Sequence, residues 1–60
     1  MRYWLNRANT QFDLLLGGNV EQIVGTMTHC DEAGVTIQLA SNGEFHSYTL
    51  TVVQHACVAS

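Results

Sequence analysis

The chain has 60 residues, of which 47% are hydrophobic and 12% charged, and its net charge is −3. This length allows one domain, and a domain so small buries only about 60% of the surface its unfolded chain exposes. The 2 basic residues, both arginine, exclude the broad cationic surface that non-specific nucleic-acid binding draws on, so any RNA must be held at a local site.

So few charges beside so much apolar surface point to self-association. Small domains commonly complete themselves with a disulfide, a metal or a partner copy. Cys30 and Cys57 are the only cysteines. The N-terminus lacks the continuous apolar run of a secretion signal, and no segment reaches the roughly 20 apolar residues of a membrane span. A cytoplasmic location with both thiols reduced is therefore expected.

In chain order, RYWLNRAN (2–9) predicts a short helix of two turns, with Tyr3 and Arg7 at helical spacing and Asn9 and Thr10 ending it. QFDLLL (11–16) places Phe12, Leu14 and Leu16 on one strand face. Gly17, Gly18 and Asn19 signal a hairpin. VEQIVGTMTHC (20–30) predicts a long strand, and its central Gly25 marks a bend. A strand bent in this way can serve two parts of a small barrel. DEAG (31–34) turns the chain again. VTIQLA (35–40) then alternates Val35, Ile37 and Leu39 inward with Thr36 and Gln38 outward. Asn42-Gly43 is a second hairpin signal. FHSYTLTVV (45–53) and QHACVAS (54–60) complete the set, with a kink near Val53 and Gln54. The chain thus stops inside an alternating, mostly apolar strand, which is an edge that invites a second chain. Sequential pairing of these elements predicts a mainly β fold. It is a small five-stranded SH3-like barrel, residues 1–60, with a short N-terminal helix, and its last strand is the seam by which identical subunits close into a ring.

VGTMTHCDEAGVTIQL carries a Gly, five residues, an Asp and a hydrophobic strand, which resembles the first signature of the Sm-like family that includes bacterial Hfq. VVQHACVAS is similar to the family's second signature, a Tyr-Lys-His-Ala-Ile-Ser run, with His55 and Ala56 matching outright. The resemblance spans Phe12 to Ser60, and small Sm-like proteins of marine cyanophages are similar in size. It implies a homo-oligomeric ring of about five to seven subunits, in which the fifth strand of one copy pairs with the fourth of the next. Phe45, Ser47, Tyr48, His55, Cys57 and Val58 then form the subunit interface. It also implies a uridine pocket near the pore at Glu32, Ala33, Gln54 and His55. Of these only the histidine is kept. Ala33 replaces an aromatic whose stacking is worth roughly 1–3 kcal/mol per base, Glu32 replaces a neutral amide, Gln54 replaces a lysine, and Val35 stands where other Sm pockets have Asn.

Several residues carry two readings. Asp31 either holds a base-binding turn rigid or simply caps the turn through its own backbone. His55 either contacts RNA at the pore, lines a wet channel or is a satisfied interface histidine. A ring of protonated His55 would repel itself, which predicts weaker assembly below about pH 6. Arg2, Tyr3, Trp4 and Arg7 combine cationic and aromatic groups suited to single-stranded nucleic acid. Alternatively, Trp4 and Leu5 seal the open end of the barrel. His55 and Cys57 share a strand face while His29 and Cys30 point apart. No zinc spacing is present, so no metal and no cofactor are expected, and both cysteines read as small core hydrophobes. No nucleophile has a matched base, so the chain is expected not to be an enzyme. Two functions follow: an RNA-binding or RNA-chaperone ring, or a phage-encoded structural or protein-interaction ring with no nucleic-acid role. About five to seven copies would carry about −15 to −21 in total, a field that opposes polyanions.

Overall fold

The computed structural model describes residues 4–59. Five antiparallel strands form one sheet in the order β4-β3-β2-β1-β5. They are β1 (Thr10–Leu16), β2 (Asn19–Asp31), β3 (Gly34–Leu39), β4 (Phe45–Tyr48) and β5 (Val53–Val58). Each runs beside its neighbour because short turns leave little chain for any other path. The β1–β2 loop is Gly17-Gly18, with φ of 58° and 85°. Two successive positive φ angles make the tight turn that matches strand twist, and glycine adopts them at no steric cost.

β2 is the spine of the sheet. Its first half pairs with β1 and its second half with β3. Gly25 alone pairs with both, opposite Thr10 on one side and Leu39 on the other. The expected division of one long strand at Gly25 is therefore present. Its cause is close approach: a Cβ there would run into the Gln38 carbonyl oxygen and reach Ile37 Cγ2 at 3.0 Å. A bulge at Thr28 adds a second irregularity, since pairing passes from Met27–Ile37 to His29–Thr36.

Alternation along the strands builds the core. Phe12, Leu14, Met27, Val35 and Ile37 are fully buried, with Leu16, Leu39 and Cys30 packed against them. Five buried side chains at about 1.5–3 kcal/mol each make a thin core. Thr10 is buried as well, and its hydroxyl donates to the Arg7 carbonyl at 2.8 Å.

Several expectations are corrected. Of the described part of the predicted N-terminal helix, Trp4 lies in a 3-10 turn and residues 5–9 are irregular. Leu5 forms a parallel bridge to Met27, the Asn6 amide donates to the Met27 carbonyl at 2.7 Å, and Asn6 and Asn9 have φ of 60° and 55°. Positive φ cannot continue a right-handed helix, and the backbone of β2 beside the Thr28 bulge offers these residues a better partner. The remainder of that helix, with Arg2 and Tyr3, lies outside the described residues. The single long strand expected over 45–53 is also interrupted. β4 ends at Tyr48, and a 3-10 turn at Leu50–Val52 precedes β5. Gln54 then bulges, because Asp13 pairs with His55 while Leu14 pairs with Val53. The sheet is open within one chain, with β4 and β5 at its two ends and not paired with each other, as the expected pairing of the fifth strand with a second copy requires. Among the described residues, no helix is long and apolar enough to cross a membrane.

Candidate functional site

The two open edges differ in character. The Ala59 amide donates to the Asn9 carbonyl at 2.7 Å, beyond the end of β5. Backbone groups alternate in direction along a strand, so Cys57 and His55 also face β1 while Ala56 and Val58 present theirs to the open edge. On β4, the Glu44 carbonyl accepts from Leu39 at 2.8 Å. His46 and Tyr48 accordingly face β3, and Phe45 and Ser47 face outward. Phe45 is 63% exposed and Val58 60%, so each edge carries a large apolar side chain in solvent. Of the expected interface set, Phe45, Ser47 and Val58 thus offer free backbone, whereas Tyr48, His55 and Cys57 turn theirs inward. Cys57 also departs from its expected place in the core. It is half-buried on the outer face opposite Gln11, while Ala56 packs on the core in its stead.

The positions implied for uridine binding are scattered within one chain. Glu32 and Ala33 are the exposed turn between β2 and β3. Gln54 is the bulged residue, and its side-chain amide donates to the Thr51 carbonyl at 2.8 Å. His55 faces Asp13 across the β1–β5 pair, with Nδ1 3.9 Å from the nearer carboxylate oxygen. The other Asp13 oxygen is sealed from solvent and has no hydrogen-bond partner. Asp31 does cap its turn. One carboxylate oxygen accepts from the Ala33 and Gly34 amides at 2.9 and 3.1 Å, and the other lies 2.9 Å from His29 Nε2. The His29 hydrogen bond, followed by the Ala33 amide, holds this carboxyl below its usual value.

Sequence reasoning passed over the surface above this turn. His29 pairs with Thr36 and Thr36 with Ser47, so the three side chains stand in one row on the outer face of β2, β3 and β4. The Thr36 and Ser47 hydroxyls are 3.1 Å apart. The row borders a depression of about 320 Å³ that Ala33 and Tyr48 also line, and neither Gln54 nor His55 reaches it. The only advance signal was the run of polar residues at alternate positions, and that reads equally well as a solvated face. At the other end of the chain, Trp4 is half-buried against the core and Arg7 places its guanidinium 5.5 Å from the indole centroid. Trp4 thus covers the core as expected, whereas Leu5 is exposed. Among the described residues no three of His, Cys, Asp or Glu converge as metal ligands. No protein-family model, no curated protein and no solved structure matches the chain.

Proposed function

We propose that this chain is an Sm-like protomer whose curved sheet forms an SH3-like barrel, that its copies join head to tail into a ring of about five to seven, and that the ring binds single-stranded RNA. The observation that carries the assembly is the pair of unmatched edges at opposite ends of one sheet. Joining β5 of one copy to β4 of the next is a heterologous contact, which closes into a ring when its rotation permits. In antiparallel pairing, hydrogen-bonded opposites project their side chains to the same face. Ala56 and Val58 would therefore oppose Phe45 and Ser47, and the two exposed apolar side chains of the edges would cover one another. That burial would add what the thin core lacks.

RNA binding is supported by the Trp4–Arg7 pair, by the exposed imidazole of His55 and by the resemblance of the last strand to the family's second signature. Net charge favours the other reading, a structural or protein-interaction ring. At −3 per copy the field repels phosphate, and Arg7 is the one arginine or lysine among the described residues.

Light scattering tests the assembly. A mass of about 33 to 46 kDa is expected from protomers of 6.6 kDa, and a species of protomer mass at every concentration would overturn the ring. Fluorescence anisotropy with uridine-rich and adenine-rich oligomers at low salt tests the ligand. Binding is expected; none at high micromolar protein would leave the structural ring as the function.

A further inference from the structure

Resting on the RNA-binding reading, the geometry points to a pocket for a single nucleobase, in which the imidazole of His29 supplies a stacking face and the hydroxyls of Thr36 and Ser47 meet the base edge. None of these three residues belongs to the positions implied by the resemblance.

The pocket is prepared before any ligand arrives. His29 is 64% exposed, yet its ring is held: Nε2 lies 2.9 Å from an Asp31 carboxylate oxygen, while the other Asp31 oxygen is clamped by the Ala33 and Gly34 amides. A flat aromatic ring in a set orientation with an open face suits an unstacked base, which single-stranded RNA supplies. Beside it, Thr36 and Ser47 share one hydrogen bond of 3.1 Å in which either oxygen can donate. The pair therefore keeps both donor and acceptor capacity for a ligand, as the mixed edge of a base requires. The three residues stand on three paired strands, and sites on strands hold geometry better than sites on loops. The depression, about 320 Å³, lies at the small end of ligand pockets, which fits one ring rather than an extended molecule. No lysine or arginine lines it and Asp31 does. Phosphate is therefore repelled from the pocket, and a neutral heterocycle is the group that enters.

The test is titration of the protein with uridine, cytidine, adenosine and ribose, followed by amide chemical shifts. Saturable shifts at His29, Thr36 and Ser47 are expected with the nucleosides and not with ribose. His29→Ala should weaken nucleoside affinity about fivefold or more, and His29→Phe, which keeps a flat ring, should restore much of it. The row lies within one chain, but Ser47 also borders the proposed seam, so Val58→Pro is titrated beside the parent and the same shifts are expected in both. Shifts that are absent, that ribose reproduces, or that survive His29→Ala unchanged overturn the pocket. Oligomers that bind the parent and His29→Ala equally also overturn it while leaving RNA binding intact. Nucleosides that titrate the row while oligomers fail to bind uphold the pocket and remove the polymer as ligand.

Discussion

Gly25 and Asp31 show how single residues decide this fold by different means. Gly25 is required by contact, because the Gln38 carbonyl occupies the space a Cβ needs. Gly25→Val should therefore lower stability by about 1–3 kcal/mol, read as a lower urea midpoint, or prevent folding. A variant as stable as the parent would show that β2 and β3 can separate there at no cost. Asp31 acts through charge. Its carboxyl titrates lower in the folded chain than in the unfolded one, because His29 and two backbone amides hold the ionised form. The stabilisation is thus fully present above the unfolded value near 4 and is lost as pH falls through the lower folded value. Urea midpoints of the parent and Asp31→Asn should differ at pH 6 and converge below about pH 4. A difference that stays constant down to pH 3 would remove the charged hydrogen bonds as its source.

Among the elements, β5 is the most exacting, since one side serves its own chain and the other is free. The Val58 amide points to the open edge, by alternation from the Ala59–Asn9 bond. Val58→Pro deletes a donor from the proposed seam without breaking a hydrogen bond to β1, whereas Cys57→Pro deletes one from the protomer's own ladder. Val58→Pro should give folded protein of protomer mass by light scattering, and Cys57→Pro should unfold the chain as judged by circular dichroism. A ring of unaltered mass in Val58→Pro would show that β5 is not the seam.

At the scale of the whole molecule, charge bears on the proposed assembly. His55 of each copy faces the Asp13 carboxylate of the same copy, so a protonated imidazole is compensated locally rather than only opposed by its symmetry mates. The proposed ring should therefore keep its mass at pH 5.5, in contrast to the weakening that a bare circle of histidines predicts. Asp13→Asn should restore that weakening. Equal masses for both proteins at pH 7.5 and pH 5.5 would show that histidine charge does not bear on assembly.

Strand content was legible in the sequence because alternation and glycine pairs act over a few residues. Phe12, Leu14, Val35 and Ile37 announced their inward faces, and Gly17-Gly18 and Asn42-Gly43 announced their turns. Residues 5–9 depart from the expected helix because helical spacing in so short a stretch is weaker than the backbone hydrogen bond that Met27 offers from across the chain. The His29–Thr36–Ser47 row was invisible because its members are 7 and 11 residues apart, and the Thr28 bulge sets which of them face one another. Composition alone foretold a chain rich in exposed apolar surface. Which apolar groups stand on which open edge depends on strand order and register, and long-range pairing decides both.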